Sequence, residues 1–374
     1  MADSFWLEEQ TAPLRSPRHD GHVDVAVVGG GVTGCSCALT LAENGLRARL
    51  HEARTIASGA SGRNGGFALR GGAMPYHVAR AELGAERAIL LWRLTERTLE
   101  RMEGLAGDAL RRVGSLQLAA DEKERDELRA EHDALRADGF EADLIEEPTG
   151  RLAGRYKAAI FHPRDGALQP ARWIRRLATH AAEAGVDIRE HDRVTSLADL
   201  DTEVVVVASD GYPSGLLSEI DELVRPTRGQ VVVTEPLRER LYERPHYARH
   251  GFDYWQQLPD GRLVVGGRRD VDLDGEFTAE EATTAEIQAA LEAFVEELVG
   301  RRPAITHRWG GIFGMSPDSL PLVGPVPDRE GTWVSRGYSG HGNVLGLACG
   351  DLVARAILGR REPELELFDP ARLL

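Results

Sequence analysis

The stretch "HVDVAVVGGGVTGCSCALTLAENGLRARLHEA" (residues 22–53) decides the fold. A short apolar run meets a cluster of glycines, a helical pattern follows, and a second apolar run ends at Glu52. This pattern predicts a strand, a helix and a second strand, which together form a βαβ unit that opens at Val23. We therefore expect an α/β fold built on a parallel sheet.

Three glycines of this unit, Gly29, Gly31 and Gly34, have GxGxxG spacing. The first allows a tight turn, the second lets backbone N–H groups approach a pyrophosphate, and the third lets the helix pack on the strand. Glu52 ends the second strand, where a carboxylate accepts hydrogen bonds from a ribose 2′-OH. The combination predicts a bound dinucleotide; the alternative is a glycine-rich turn without a ligand.

The next segment, "ARTIASGASGRNGG" (residues 53–66), bears on which dinucleotide binds. The GxGxxG sequence, here called the glycine fingerprint, does not distinguish NAD from FAD, and Arg54 could pair with a 2′-phosphate. A plain NAD domain would continue into its next helix, whereas this run can wrap a pyrophosphate and pass its glycines flat against a ring system. The alternative interpretation of residues 53–66 is a flexible surface loop.

The rest of the chain alternates framework and inserted segments. "EVVVVASDG" (203–211) is typical of a buried parallel strand. Residues 229–270 predict consecutive antiparallel strands, and residues 279–298 predict a helix. Two stretches, about 80–145 and 225–305, are therefore interpreted as insertions into the nucleotide-binding framework.

Composition narrows the possible partners. The 374 residues carry a formal net charge of −15, which argues against nucleic acid and anionic membranes and favours cationic or neutral small molecules. The alternative interpretation of this charge is a well-solvated acidic surface. No run of about 18 apolar residues occurs, and the first residues lack a basic segment followed by an apolar one. Cys35, Cys37 and Cys349 suggest no disulfide framework. We expect a cytoplasmic protein without a membrane span; the oligomeric state stays open.

Several motifs occur in the order "SGASGRNGG", "HPRDGALQPARW", "RPTRGQ", "DYWQQLPDGRLVVGG", "RWGGIFGMSPDSLPLVG" and "GYSGHG". In this order the chain resembles the FAD-dependent D-amino-acid-oxidase-like superfamily, and most of all its γ-glutamylputrescine oxidase-like branch. The resemblance implies a Rossmann-like FAD-binding domain (1–80, 146–224 and 306–374) with an inserted α+β substrate domain that contains a mixed or antiparallel sheet (81–145 and 225–305).

The fingerprint and the resemblance together give the candidate FAD-binding residues. They are Gly29, Gly31, Val32, Thr33, Gly34, Glu52, Ala53, Arg54, Ser58, Ser61, Arg63, Asn64, Gly65, Val194, Gly311, Gly340, His341, Gly342 and Asn343. Gly311 stands where monomeric sarcosine oxidases carry the cysteine that tethers FAD, and the "SGASG" loop has no histidine. We therefore expect non-covalent FAD.

The loop "RGYSGHGNVLG" (336–346) lies between a predicted strand (332–336) and a predicted helix (344–358). Its N–H groups and the helix dipole suit the pyrimidine edge of a reduced flavin, which carries negative charge. His341 and Asn343 are the expected side-chain donors. The alternative is an ordinary glycine-rich entry to a helix.

Two residues are candidate catalytic groups, His341 in this loop and Tyr254 on a strand that relatives lay over the flavin. Alternation sends Tyr254 and Gln256 to one face and Trp255 to the other. We expect Tyr254 to face the ring, where an aromatic wall attracts an amine. A simple core position is the alternative for an aromatic residue in a strand.

The resemblance implies oxidation of a C–N bond to an imine, with a hydride passing to FAD N5. The position of the relatives' carboxylate-binding arginine is occupied here by Ile312 or Phe313, which favours a primary or secondary amine. Binding of a carboxylate by Arg63, Arg70 or Arg268 would instead favour a D-amino-acid, glycine or sarcosine type of enzyme.

The glycine fingerprint is also compatible with an NAD-dependent dehydrogenase and with a non-catalytic flavoprotein. Neither Lys123 nor Lys157 falls at the position of the sarcosine oxidases' oxygen-activating lysine, so the electron acceptor is oxygen or another compound. His246 and His250 lack a third metal ligand, so no metal is expected. Trp173 and Trp309 are expected in the core or at the domain boundary.

Overall fold

The structure is a computed structural model that describes residues 4–374. Its strands are β1 (Val25–Val28), β2 (Ala48–His51), β3 (Phe67–Ala68), β4 (Leu110–Arg111), β5 (Ser115–Ala119), β6 (Asp143–Ile145), β7 (Ala158–His162), β8 (Gly166–Leu168), β9 (Asp187–Arg189), β10 (Val204–Val207), β11 (Arg225–Thr234), β12 (His246–Ala248), β13 (Asp253–Gln257), β14 (Leu263–Gly267), β15 (Ile305–Met315), β16 (Leu322–Pro325) and β17 (Thr332–Arg336). Its α-helices are α1 (Val32–Glu43), α2 (Ala60–Arg63), α3 (Tyr76–Leu83), α4 (Ala85–Ala106), α5 (Glu122–Ala137), α6 (Pro170–Glu183), α7 (Ser218–Leu223), α8 (Ala285–Val299) and α9 (Gly342–Ile357).

A six-stranded sheet of order β16-β17-β10-β1-β2-β9 carries the glycine fingerprint. Its neighbouring strands run parallel except for β16, which is antiparallel to β17. Strands β1 and β10 are short runs of valine and alanine, as expected where both faces of a sheet are covered. The parallel sheet and the βαβ unit predicted from residues 22–53 are confirmed. Since parallel strands share one carboxyl edge, the segments after β1, β2 and β10 meet there.

An eight-stranded sheet of order β15-β11-β14-β13-β12-β5-β7-β6 forms the second layer. Its pairs are antiparallel except for β12 with β5, so the expected mixed sheet is confirmed. On one face Trp255 packs against Phe294 of α8, with ring centroids 5.5 Å apart. On the opposite face Gly229 and Tyr254 line a cavity. A three-stranded sheet, β3-β8-β4, completes the fold.

The strand pairing bears on the expected domain ranges. Strand β7 pairs with β5, and β15 pairs with β11, so both belong to the eight-stranded sheet. The ranges predicted from the sequence, 146–224 and 306–374, place β7 and most of β15 in the FAD-binding domain. The domain ranges therefore stay a prediction.

Helix α8 is shorter than the sequence predicts, because it begins at Ala285 and not at residue 279. The residues before it are held by contacts with distant segments. Glu281 accepts a hydrogen bond from Arg54 Nη1 at 2.8 Å, and the Thr284 amide donates to Gln230 Oε1 at 3.0 Å. Tertiary contacts here outweigh local helix propensity. Helix α9 also differs from expectation and begins two residues early, at Gly342.

The helices also bear on the expectation about membranes. Within residues 4–374, no helix combines the length and the apolar character that crossing a membrane requires.

Candidate active site

A cavity of about 630 Å³ lies between the carboxyl edge of the six-stranded sheet and the face of the eight-stranded sheet that carries Tyr254. Most of the expected site residues line it: Gly29, Gly31, Val32, Thr33, Glu52, Ala53, Arg54, Ser61, Arg63, Asn64, Gly65, Val194, Tyr254, Gly311, Gly340, His341, Gly342 and Asn343. Gly34 and Ser58 do not line it. The fold thus brings together segments from both ends of the chain.

The turn after β1 and the first turn of α1 each require a glycine. Gly29 has a φ of +118°, and a Cβ atom there would lie 2.5 Å from the carbonyl oxygen of Ala208. A Cβ atom at Gly34 would lie 1.9 Å from the carbonyl oxygen of Gly29, so Gly34 serves the packing of α1. Gly31 caps α1 without any side-chain hydrogen bond. The Val32 amide, the first of α1, donates to Ser61 Oγ, and the start of α1 lines the cavity with its positive dipole end.

The Glu52 carboxylate is fixed by two backbone amides. Its Oε2 accepts from the Gly30 amide at 2.8 Å, and its Oε1 accepts from the Arg54 amide at 2.7 Å. Each oxygen keeps a lone pair for a hydroxyl group. The guanidinium of Arg54 donates to Glu281 and to the Ser58 carbonyl. In this structure Arg54 therefore pairs with protein groups and not with a 2′-phosphate.

Residues 53–66 form an ordered wall of the cavity and not the alternative surface loop. Ser61 Oγ accepts from the Val32 amide at 3.0 Å, which fastens the segment to the start of α1. Arg63 is buried; its Nε donates to the Ser58 carbonyl at 2.8 Å, and its Nη1 donates to the Gly310 carbonyl at 3.3 Å. The segment is thereby held against β15.

Asn64 and Asn343 join this wall to the start of α9. Their amides exchange hydrogen bonds of 3.1 Å in both directions, and Asn343 Nδ2 also donates to the Phe67 carbonyl at 2.7 Å. Both N–H bonds of Asn343 are therefore used within the protein. Asn343 lines the cavity, and its role as a side-chain donor to the cofactor stays a prediction.

The loop before α9 is shaped by backbone geometry and by a buried carboxylate. Ser339 and Gly340 have positive φ angles of 51° and 89°. Asp210 Oδ1 accepts from the Gly337 amide at 3.0 Å. His341 caps α9 without a side-chain cap bond, and its buried Nδ1 has no partner within residues 4–374. Burial lowers the pKa of His341, so the imidazole is neutral near pH 7.

Tyr254 lies on the cavity face of β13, as the alternation predicts. A Cβ atom at Gly65 would lie 2.7 Å from its ring, and one at Gly266 would lie 2.3 Å from it. Its ring meets Phe67 edge to face at 5.8 Å. Gln256, on the same face, donates from Nε2 to the Gly65 carbonyl at 2.7 Å. Burial raises the pKa of Tyr254 to about 12, so the phenol stays protonated.

The three arginines considered as carboxylate ligands already have partners in the protein. Arg70 Nη1 donates to Glu96 Oε1 at 3.0 Å. Arg268 Nε lies 2.8 Å from Asp253 Oδ1, and Arg268 does not line the cavity. Arg63 is bound as described above.

Arg269 was not among the expected residues, yet it lines the cavity. Its guanidinium lies 4.5 Å from the ring centroid of Phe252 and 5.9 Å from that of Phe313. The sequence "GGRRD" does not distinguish Arg268 from Arg269, because only the backbone angles decide which of the two faces the cavity.

A buried polar group lines another part of the cavity. Asp165 accepts from Ser115 Oγ at 2.7 Å, and His162 Nε2 lies 3.1 Å from Gln117 Oε1. Burial raises the pKa of Asp165 to about 6 and lowers that of His162 to about 3. His162 is therefore neutral at pH 7.

Of the remaining residues considered from the sequence, His250 lines the cavity, whereas His246, the three cysteines and the two tryptophans serve packing. His246 stacks on Trp255 with ring centroids 5.0 Å apart. Buried as well are Cys35, Cys37, Cys349, Trp173 and Trp309. Within residues 4–374, no group of three or more histidine, cysteine, aspartate or glutamate residues could hold a metal ion.

The residues around the cavity fit the FAD that the resemblance implies. The starts of α1 and α9 both line the cavity, and the positive dipole ends of the two helices suit a pyrophosphate and an electron-rich ring edge. Glu52 suits a ribose. Among residues 4–374, His341 Nδ1 and Ser209 Oγ are buried polar atoms that find no partner, and both residues line this cavity. The cofactor would satisfy groups that the protein leaves open.

Comparisons with known proteins agree with the expected resemblance. Gamma-glutamylputrescine oxidoreductase of Escherichia coli is 27% identical over 383 residues, which cover 94% of this chain and 87% of that protein. The crystal structure of glycine oxidase from Geobacillus kaustophilus superposes with a TM-score of 0.79 at 25% identity, covering 95% of this chain and all of that one. L-proline dehydrogenase from P. horikoshii has a TM-score of 0.80 at 21% identity, covering 94% of this chain and 98% of that one, and so shares the fold.

The family of FAD dependent oxidoreductases called DAO matches residues 24–356, which is most of the chain. The matched range runs from β1 into α9 and thus includes both sheets and every segment that lines the cavity. The chain is an FAD-dependent oxidoreductase and belongs to the DAO family.

Proposed function

We propose that this enzyme oxidises the C–N bond of a primary or secondary amine to an imine, which water then hydrolyses. FAD, when bound, supplies the two-electron oxidation. The protein's own task is to bind the amine, orient its C–H bond and exclude water.

The observation that carries this proposal is the position of Tyr254. Its ring lies between Gly65 and Gly266, and it lines the cavity beside the wall formed by residues 53–66, here called the cofactor wall. An aromatic wall attracts an ammonium group and then contacts its apolar carbons. Tyr254 and His341 are both uncharged near pH 7, so they place no fixed charge beside the reacting carbon.

The relatives support an amine or amino-acid substrate, since one is a gamma-glutamylputrescine oxidoreductase and another a glycine oxidase. An amino-acid oxidase or dehydrogenase of the D-amino-acid, glycine or sarcosine type is the second candidate. It is favoured by the presence of an arginine, Arg269, on the cavity wall.

We further propose that FAD is bound without a covalent tether. Gly311 packs against Arg63, and the chain's three cysteines are buried and do not line the cavity. Residues 1–80, 146–224 and 306–374 would hold the cofactor, and residues 81–145 and 225–305 would cover the substrate. Oxygen or another compound would reoxidise the flavin, and a cytoplasmic location stays a prediction.

The test is an anaerobic screen of flavin bleaching with polyamines, N-methyl amino acids, D-amino acids and glycine. We expect at least one amine class to bleach the flavin, and acid or heat to release all the yellow colour from the precipitated chain. A bound flavin that no amine or amino acid bleaches would overturn the proposed reaction. Flavin that stays with the precipitate would overturn only the non-covalent assignment.

A further inference from the structure

Asp210 is a cavity-lining residue whose carboxylate joins two separate segments of the chain. It follows β10 and has a positive φ of 43°, which aspartate adopts more readily than most residues. Its Oδ2 accepts from the Gly314 amide at 3.1 Å. Its Oδ1 accepts from the Gly337 amide at 3.0 Å and from the Tyr338 amide at 3.4 Å. The carboxylate therefore bridges the end of β15 and the loop that follows β17.

Both segments continue directly into the cavity wall. Phe313 of β15 lines the cavity, and so do residues 338–343. The loop has positive φ angles at Gly337, Ser339 and Gly340, so no regular ladder of backbone hydrogen bonds holds it. Its position depends on tertiary contacts. Asp210 fixes its first two amides, and the Ser339 amide donates to the Gly314 carbonyl at 2.8 Å.

The charge of Asp210 is stabilised by these amides and not by a cation. Within residues 4–374 the carboxylate makes no ion pair. The guanidinium of Arg336 donates to the Asp210 main-chain carbonyl at 2.8 Å and pairs with Asp221 at 2.5 Å. Burial raises the pKa of Asp210, and the three backbone amides act in the opposite direction. Both carboxylate oxygens are thus committed to holding backbone in place.

The part of the loop that follows offers an open donor. Gly340 lines the cavity, and its amide has no hydrogen-bond partner within residues 4–374. This N–H group and the positive dipole end of α9 stabilise negative charge on a group that faces them. Such stabilisation depends steeply on the distance to the charge, because a hydrogen bond weakens quickly as it lengthens or bends. A contact that fixes the loop therefore also fixes the strength of this stabilisation.

We propose that Asp210 is a positioning residue that holds the Gly340 amide and the start of α9 towards the pyrimidine edge of FAD, and thereby favours the reduced cofactor. Asp210 acts through the loop and not by contact with the reacting atoms. Its own negative charge has the opposite effect, because it disfavours a negatively charged ring. The two effects can therefore be measured separately. The inference goes beyond the proposed amine oxidation and does not depend on it.

The test uses sulfite as a probe of the FAD-loaded enzyme, because sulfite needs no turnover. The sulfur lone pair of sulfite forms a bond to N5 of oxidised flavin, and the negative charge moves onto the pyrimidine ring. Bleaching of the yellow colour then gives the Kd. The variants D210N and D210A are both uncharged at this position, but only asparagine keeps an oxygen that accepts from the loop amides.

D318N and D318A are the matched controls. Asp318 Oδ1 accepts from the Leu320 amide at 3.2 Å, but Asp318 does not line the cavity. We expect D210A to bind sulfite about 5- to 10-fold more weakly than D210N, as for one lost hydrogen bond to the ring. The two controls should bind sulfite like the unchanged enzyme.

A second measurement is the reduction potential of bound FAD, obtained by equilibration with a reference dye. It should be lower in D210A than in D210N, since charge is the same in both and only the hold on the loop differs. If D210A does not retain FAD, D210S replaces it, because the shorter serine side chain offers one oxygen in place of two.

Equal sulfite affinity and equal reduction potential in D210N and D210A would overturn the inference. A difference that both variants share relative to the unchanged enzyme would then come from charge alone. A loss of sulfite affinity in D318A as large as that in D210A would also overturn it, because the loss would not be specific to the loop. The anaerobic bleaching screen tests the amine oxidation separately, and neither result decides the other.

Discussion

At the residue scale, Gly29 offers the sharpest test of the cofactor turn. Alanine there would take a φ of +118° and place its Cβ atom 2.5 Å from the Ala208 carbonyl oxygen. We expect Gly29→Ala to lose most bound FAD, because the turn has to open where the pyrophosphate would lie. FAD content per chain after purification is the measurement.

Gly45 provides the matched control within the same βαβ unit. Its φ is +86°, but no atom lies within 4 Å of the position of its Cβ. Gly45→Ala should cost about 1–2 kcal/mol of stability through backbone strain and keep its FAD. If both variants lose FAD equally, backbone strain explains the loss without the clash. If both keep their FAD, the turn at Gly29 is not part of the cofactor site.

Single residues also mark the limit of sequence reasoning. The glycine spacing and Glu52 are local signals, and their places were predictable from the chain alone. The side chain of Asn343 was not, because its donors are used by Asn64 and the Phe67 carbonyl, which lie far away in sequence. Arg269 was not predictable either, since its direction depends on two positive φ angles.

At the element scale, the strands and helices were predictable where hydrophobic patterning and tertiary contacts agree. Strand β17 covers the predicted residues 332–336. The start of α8 was missed because Glu281 is bound by Arg54 and Tyr212, so the segment before Ala285 stays non-helical. No local pattern encodes a partner that lies so far away along the chain.

Strand β12 carries a pH-dependent part of the stability. Burial of His246 against Trp255 lowers its pKa from 6.5 to about 3. Below pH 6.5 the unfolded chain binds a proton that the folded chain refuses, so stability falls as the pH drops from 6.5 towards 3. Protonation of this one histidine in the unfolded chain should lower the free energy of unfolding by about 2 kcal/mol between about pH 7 and pH 5.

His246→Phe keeps an aromatic ring on Trp255 and removes the titrating group. We expect the loss of unfolding free energy from about pH 7 to pH 5, measured by urea unfolding with saturating FAD, to shrink by about 2 kcal/mol in the variant. His22→Phe is the control, because the His22 side chain is 47% exposed. A pH dependence that is the same in all three proteins would contradict the assignment.

At the scale of the whole molecule, an N-terminal arm (residues 4–8) connects the cofactor wall (residues 53–66) to the eight-stranded sheet. Trp6 is buried and donates from Nε1 to the Asn64 carbonyl at 2.8 Å, and Ser4 Oγ donates to the Gly62 carbonyl at 3.2 Å. Glu8 contacts His307 of β15 at 2.9 Å. The arm therefore links the 62–64 segment, which belongs to the cofactor wall, to the large sheet.

We predict that this arm sets FAD affinity. Trp6→Phe keeps most of the buried ring and removes the hydrogen bond that fixes the Asn64 carbonyl, so the Kd for FAD should rise about 5-fold, as for one lost hydrogen bond. The measurement is fluorescence titration of the apoprotein with FAD. Trp173→Phe is the matched control, because Trp173 is fully buried but its Nε1 has no partner within residues 4–374. If Trp6→Phe and Trp173→Phe lower thermal stability alike and leave the same Kd for FAD, the arm serves packing only, and the cofactor wall holds its shape without it.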